Sequence, residues 1–221
     1  MTPLLYSDLP PADRYTGSVE SGEIEIVVPP SGAVPVVFEN KYLTLVNDVV
    51  RFPNGKDGHY LRALHPVEIQ GRHGTVMVTR KGNQFVLLRL FRHPTRSWEL
   101  EFPRGFAEPH LSAEENARKE VREELGVEIT ALQKVGVICP NTGLLATRAH
   151  VFLVELESLP QAGGEHQAAE AIESFRFVDP SALMELVRAG EIRCAFTLGA
   201  LMLVLSREFL AARQAAQSSR G

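Results

Sequence analysis

The chain has 221 residues, of which 44% are hydrophobic and 23% are charged, and its formal net charge is −4. This composition is typical of a globular protein with an ordinary core, and the slightly acidic charge argues against a nucleic-acid-binding surface. No run of about 18 apolar residues occurs, so no membrane span is expected. The N-terminal stretch "MTPLLYSDLPPADRY" lacks the pattern of a signal peptide. We therefore expect a cytoplasmic protein, with Cys139 and Cys194 as buried thiols.

The first part of the chain predicts strands. Residues 1–40 are rich in Pro, Gly and Ser and contain one short apolar run, "IEIVVPP". Strand-like runs follow, and the turn signal "NGKDG" separates the first two of them: "YLTLVNDVVRF", "TVMVTR", "QFVLLRLFR" and "WELEF". We predict a β-rich N-terminal arm over residues 1–60, a main domain over 61–213 and a frayed tail over 214–221.

The middle of the chain predicts a capped helix followed by more strands and helices. Ser112 and Glu115 form a capping box, and Gly126 has the position of a left-handed C-terminal cap. Strand-like "LQKVGVIC", "AHVFLVEL" and "SFRFV" follow, with a mobile loop, "PQAGGEHQAAEA", before the last of them. Two helices, "SALMELVRA" and "FTLGALMLVLSREFLAARQAA", end the chain. This order predicts an α/β sandwich with a mixed sheet.

The capped helix carries three glutamates on one side. At about 100° per residue, Glu120 and Glu124 lie together beside the apolar stripe, and Glu123 lies just beyond them. Like charges at this spacing destabilise a helix. The cluster is either a solvated acidic face or a cation site. The preceding "EFPRG" loop can bring a backbone carbonyl close, and carboxylate and carbonyl oxygens are the ligands that Mg²⁺ prefers.

The same residues resemble the Nudix box: Gly, five residues, Glu, seven residues, then R-E-U-x-E-E-x-G-U, where U is apolar. Gly105 opens the pattern, and "KEVREELGV" completes it without gaps. Leu111 and Lys119 depart from it, because the family has Glu and Arg there, two side chains that lie near each other. The resemblance implies a Nudix α/β/α sandwich. It also implies that Mg²⁺ is held by Glu120 and Glu124, with Glu123 assisting in metal binding and in catalysis and the backbone carbonyl of Arg104 completing the set.

The segments around the box are similar to the ADP-ribose pyrophosphatase branch of that family. In "LFRHPTRSWELEFPRG", the resemblance implies substrate contacts for Arg92 and Gly105 and places Glu101 at the edge of the metal site. Arg104 stands where the branch more usually has Ala. Arg92 and Glu101 could equally be ordinary surface charges on strands.

Two positions after the box also match that branch. Pro140, 13 residues after the box, is its usual mark and a predicted substrate-binding position, although a proline here could simply end a strand. Glu170 matches the general base on the flexible loop, with Glu165 or Glu173 as alternatives.

The resemblance implies Mg²⁺-dependent hydrolysis of a nucleoside-diphosphate sugar, with Mn²⁺ as a possible substitute. ADP-ribose is the first choice of substrate and would give AMP and ribose 5-phosphate. The alternatives are another sugar nucleotide or a dinucleotide, or a catalytically weak nucleotide sensor. Enzymes of this branch are generally homodimers through N-terminal segments, so we expect a homodimer here, with neither nucleic acid nor membrane as a partner.

Overall fold

The computed structural model describes residues 3–161 and 165–218. The chain forms two compact units. The first runs to His73 and includes Asn141–Thr147, and the second contains Gly74–Pro140 and the chain from Arg148 onward.

The first unit is a four-stranded antiparallel sheet. Its central strand β3 pairs with β4 along one edge and with β1 and β2 at opposite ends of the other edge. The elements are β1 (Glu25–Ile26), β2 (Val36–Glu39), β3 (Thr44–Arg51), β4 (Asp57–Leu64) and a one-turn helix α1 (Pro66–Ile69). The sequence reading missed β4, and residue 60, the expected end of the arm, falls inside it. The whole of β4 pairs with β3, so this unit extends past residue 60.

The second unit contains a seven-stranded mixed sheet of order β11-β6-β5-β10-β9, in which β7 pairs with β6 and β8 pairs with β5. Only the pairing of β5 with β10 is parallel. The strands are β5 (Gly74–Lys81), β6 (Gln84–Arg92), β7 (Ser97–Glu101), β8 (Arg104–Gly105), β9 (Ile129–Ile138), β10 (Ala149–Leu156) and β11 (Ile172–Val178).

Helices cover both faces of this sheet. They are α2 (Ala113–Leu125), α3 (Glu165–Ala169), α4 (Pro180–Arg188) and α5 (Ala195–Ser218). In β5, Val76 and Val78 pack in the cluster that contains α4 and α5, whereas Met77 packs with α2. Strands covered on both faces are continuously apolar, which explains why "QFVLLRLF" has no polar alternation. The predicted α/β/α sandwich with a mixed sheet, preceded by a strand-rich segment, is confirmed.

Two local predictions near the site have different outcomes. The capping box is confirmed, because Glu115 N–H donates to Ser112 Oγ at 3.2 Å and Ser112 N–H donates to Glu115 Oε2 at 2.8 Å. Gly126 has φ 69°, the left-handed cap conformation. The loop predicted over "PQAGGEHQAAEA" is wrong in its second half, where α3 forms, and residues 162–164 of it lie outside the described residues.

The last helix α5 is long and amphipathic only in its first half. Ala200, Leu201 and Val204 are buried in the core, whereas Phe209 and Leu210 are exposed. Within Ala195–Gln217, a window of 18 residues has a mean hydropathy of 1.6, enough to cross a membrane by length and composition, a test that core helices also meet. The absence of a membrane partner therefore stays a prediction. The tail expected to fray from residue 214 is helical through Ser218, and residues 219–221 lie outside the described part of the chain.

Candidate active site

A close approach of glycine to carboxylate brings the first two predicted site residues together. Pairing of Thr75 with Gly105 fixes β8 on the edge of β5, next to α2. A Cβ on Gly105 would lie 2.0 Å from Cδ of Glu120, far inside van der Waals contact. A side chain at this position would displace the Glu120 carboxylate, so glycine allows the carboxylate to lie against the backbone.

The two glutamates predicted as metal ligands are both in an unfavourable electrostatic environment. Burial, with the neighbouring charges of Glu123 and Glu170, raises the pKa of Glu120 to about 7, although Lys119 opposes the shift. Burial, together with Glu120 and Glu170, raises the pKa of Glu124 well above its usual range. Glu124 is 4% exposed, and its Oε2 has no hydrogen-bond partner among the described residues. An unpaired buried carboxylate costs stability unless a cation neutralises it.

A buried amide on α2, which the sequence reading did not single out, holds the loop after Gly105. Asn116 Nδ2 donates to the Phe106 carbonyl at 2.9 Å and to Thr75 Oγ1 at 3.2 Å. Asn116 lies one helical turn before Glu120, so it ties the loop, the strand and the acidic helix face together. The sequence signal that could have identified Asn116 is a polar residue on the buried side of α2.

Two predicted substrate-binding positions form one ion-pair group with Arg104. Arg92 donates to both oxygens of Glu101, at 3.1 and 2.7 Å, and Arg104 Nε donates to Glu101 Oε2 at 3.0 Å. Burial alone would raise the pKa of Glu101, but the two guanidiniums outweigh it and lower that pKa. Glu101 is 2% exposed. Neither Arg92 nor Glu101 is a plain surface charge.

The two departures from the box are linked by a third residue, Glu108. Lys119 Nζ lies 2.7 Å from Glu123 Oε2 and 3.2 Å from Glu108 Oε1. The charge missing at Leu111 is therefore supplied three residues earlier in the same loop. These are partly exposed pairs, whose individual contribution to stability is small, but together they connect the loop to the helix face that carries Glu123.

The general base predicted at position 170 lies in a short, anchored turn. Glu170 follows α3 directly, and its charge raises the pKa of both Glu120 and Glu124, which places it near them. The next residue, Ala171, has φ 55°, and its carbonyl accepts a hydrogen bond from Phe91 N–H at 3.1 Å. A left-handed conformation costs about 1 kcal/mol or more for a non-glycine residue. Contacts around the turn must therefore offset this backbone strain.

The alternatives for the base are less well placed or not described. Glu173 forms an ion pair with Arg89. The side chain of Glu165 lies outside the described part of the structure. Glu170 therefore stays the predicted base.

Other candidates are not brought to this cluster. Pro140 follows the end of β9, and its predicted substrate role has no contact in the described structure to support it. The expectation of buried thiols is wrong, since Cys139 is exposed and Cys194 is half-buried. Cys139 directly follows the last residue of β9. Both thiols are free, as expected.

A surface cavity of about 430 Å³ lies elsewhere in the second unit and is a poor candidate for a diphosphate. None of the carboxylates described above lines it. Its three arginines each have a carboxylate partner, so it has no excess positive charge: Arg89 with Glu173, Arg176 with Glu191 and Arg193 with Glu99.

The carboxylate pair fits a hard divalent cation. Within residues 3–161 and 165–218, no three His, Cys, Asp or Glu side chains form a metal-binding group, so Glu123 is not drawn into one group with Glu120 and Glu124. The orphaned Oε2 of Glu124 and the cradle between Gly105 and Glu120 are the features that such an ion would use. An all-oxygen donor set suits Mg²⁺.

Comparison with known families agrees with this geometry. The NUDIX domain matches residues 71–195, which contain the box, the arginine pair and Glu170. The chain belongs to the NUDIX domain family. This membership accounts for the glycine that faces an acidic helix, and the departures at Leu111 and Lys119 are departures within a NUDIX domain.

Individual relatives are hydrolases of nucleotide compounds by name. A CMP-5'-(N-acetyl-N-hydroxy-3-aminopropyl)phosphonate hydrolase of Streptomyces rubellomurinus is 25% identical over 174 residues, 77% of this chain and 79% of that protein. An ADP-sugar pyrophosphatase of Mus musculus is 35% identical over 71 residues, 32% of this chain and 33% of that protein. The crystal structure of an ADP compounds hydrolase matches the NUDIX fold with a TM-score of 0.66 and 22% identity, covering 86% of this chain and 96% of the other. The prediction of a Nudix-type pyrophosphohydrolase similar to the ADP-ribose pyrophosphatase branch is confirmed.

Proposed function

We propose that this Nudix protein hydrolyses the diphosphate bond of a nucleoside-diphosphate sugar, with Mg²⁺ as the cofactor and ADP-ribose as the first candidate substrate. The observation that carries the proposal is the buried, unpaired carboxylate of Glu124 beside Glu120 and Gly105. Glu120 and Glu124 would hold the cation, together with the Arg104 carbonyl and with assistance from Glu123.

Three side chains of the protein have separate roles in the proposed reaction. When bound, a divalent cation supplies charge neutralisation at phosphate oxygens and lowers the pKa of an attached water. Arg92 orients the diphosphate through guanidinium hydrogen bonds, and Glu101 holds that guanidinium in place. Glu170 accepts the proton of the attacking water as general base. Water adds across the P–O–P bridge, so ADP-ribose would give AMP and ribose 5-phosphate.

The relatives define which substrates to compare. The mouse relative is named for ADP-sugars and the Streptomyces relative for a CMP phosphonate, so both adenosine and cytidine compounds are relevant. The substrate panel should contain ADP-ribose, GDP-mannose, a dinucleoside diphosphate and a CMP ester of a phosphonate. Each is assayed with Mg²⁺, with Mn²⁺ and with EDTA, and products are separated by chromatography.

The outcomes of this panel separate the candidates. Turnover of ADP-ribose to AMP that requires a divalent cation supports the proposal. Faster turnover of another compound would make that compound the assigned substrate. Tight binding without product supports a nucleotide sensor. The bridge from Lys119 to Glu108 and Glu123 favours the enzyme, because it retains an ordered acidic face despite the altered box.

We also propose that the protein is a homodimer through its N-terminal unit and that it is cytoplasmic. In that unit, Val37 and Phe38 on β2 and Tyr60 and Leu61 on β4 are exposed. Exposed large apolar side chains on both of these strands of a small sheet support an interface there. Sedimentation at micromolar concentration should show a dimer, and Phe38→Glu should give a monomer. The control is Phe209→Glu, an equally exposed phenylalanine on α5, and a wild-type monomer would refute the assignment.

A further inference from the structure

Two guanidiniums share one buried carboxylate in the second unit. Glu101 accepts hydrogen bonds from Arg92 and from Arg104, and these two cations face a single anion within the group. A structural ion pair needs one cation for each carboxylate. The second guanidinium therefore brings one unit of positive charge that the group itself does not use.

Arg104 keeps most of its hydrogen-bonding capacity. In the described part of the chain it donates only from Nε, and its two terminal nitrogens have no protein acceptor. The guanidinium lies over the Phe196 ring, with Cζ 4.7 Å from the centroid, and the side chain is 25% exposed. A planar guanidinium that is fixed in place by an aromatic ring and a carboxylate is preorganised to bind phosphate oxygens.

The position of Arg104 in the chain brings its unused hydrogen-bond donors close to the acidic face of α2. Arg104 precedes Gly105, the residue whose backbone touches the Glu120 carboxylate. Arg92 donates to the same Glu101 oxygen as Arg104, so it is held next to Arg104. The two arginines therefore lie beside the carboxylate pair.

We infer that the Arg104 side chain is a substrate-binding group, which forms with Arg92 a two-guanidinium clamp on the diphosphate oxygens. This role is separate from that of its backbone carbonyl and rests on the proposed function for its substrate class. Arg104 makes the same contacts in the ground state and in the transition state, so it contributes mainly to KM.

Variants of Arg104 test the clamp in turnover. Arg104→Ala should raise KM for the best diphosphate substrate about tenfold to a hundredfold, as expected for charge-assisted hydrogen bonds, with less change in kcat. Arg104→Lys should give an intermediate KM, because it keeps the charge and loses the fork. The matched control is Arg193→Ala, since Arg193 also pairs with a buried glutamate of β7, Glu99, at 2.7 Å. Its KM should stay at the wild-type value.

A binding experiment separates failure of the clamp from failure of the proposed function. Methylenediphosphonate, a diphosphate analogue without nucleoside or cleavable bridge, is titrated calorimetrically with EDTA and again with Mg²⁺. Wild type and Arg193→Ala should bind it equally, and Arg104→Ala about tenfold or more weakly. Absence of turnover on the whole substrate panel, with this difference retained, would reject the hydrolase and keep the clamp. Equal affinity for all three proteins, or no binding by wild type, overturns the clamp.

Discussion

Two buried glutamates of the second unit have opposite electrostatic environments. Glu101 on β7 is 2% exposed and Glu124 on α2 is 4% exposed, so burial hardly distinguishes them. Glu101 has two guanidinium partners and a lowered pKa, whereas Glu124 has a raised pKa and an oxygen without a partner among the residues that the structure describes. Protein side chains supply the partners of the buried carboxylate on β7. Among the described residues, they do not do so for the buried carboxylate on α2.

This difference separates a carboxylate that positions two arginines from a carboxylate that requires a ligand. A fully paired buried ion can be retained for geometry, and here it orients two arginines. A buried carboxylate without a partner lowers the stability of the isolated protein, which is expected where a ligand completes the site. The same substitution, Glu to Gln, should therefore have opposite effects on stability at the two positions.

The largest effect is expected for Glu124→Gln. The neutral amide cannot hold a divalent cation as a carboxylate does, so turnover should fall about a thousandfold or more, equivalent to several kcal/mol. In EDTA the variant should be more stable than wild type by about 1–3 kcal/mol, because an unpaired buried charge is removed. Turnover and urea unfolding in EDTA measure the two effects.

The matched control for Glu124→Gln is Glu128→Gln, just beyond the same helix. Glu128 is exposed and pairs with Arg122, so both measurements should stay near wild type. Added Mg²⁺ should stabilise wild type and Glu128→Gln but not Glu124→Gln. A Glu124→Gln protein that is less stable than wild type in EDTA would remove the distinction between the two regions.

Glu101→Gln should destabilise the protein by about 3 kcal/mol, because two guanidiniums lose their anionic partner. Its lowered folded-state pKa adds a pH dependence with a definite sign. The stabilisation by Glu101 is present above the unfolded-state pKa of about 4.5 and is lost as pH falls through the lower folded-state pKa. Urea unfolding of both proteins in EDTA, from pH 7 to below pH 4, should show a difference that narrows only as pH falls below about 4.5. A constant difference across that range would mean that the carboxylate charge is not its source.

The features that could be predicted from sequence are those with short-range periodicity or fixed spacing. Apolar continuity in "QFVLLRLF" predicts a strand covered on both faces, and the box spacing places Gly105 opposite Glu120. The strand β4 was missed because "DGHYLRAL" is mostly exposed and carries no clean alternation. The helix α3 was missed because glycines precede it.

Long-range pairing explains the rest of what sequence alone could not supply. Glu101 and Arg104 are close in sequence, but the ring beneath Arg104 comes from Phe196 on α5. Asn116 holds a loop carbonyl that no motif marks. Such contacts depend on how the helices pack on the sheet, and composition does not encode that packing locally.

The smallest effect is expected for the ion pairs around the altered box. Glu108→Gln removes one of the two carboxylates that pair with Lys119 and leaves the pair with Glu123 on α2, at 2.7 Å. We expect turnover to fall about threefold to tenfold, the equivalent of roughly 1 kcal/mol for a partly exposed pair, with little change in unfolding. Adding Leu111→Glu to Glu108→Gln should restore turnover, because it returns a carboxylate to the position that the family uses. Glu114→Gln, an exposed glutamate in the first turn of α2, serves as the control and should be neutral. If Leu111→Glu fails to restore turnover while Glu108→Gln lowers it, Glu108 acts on the site by a route other than Lys119.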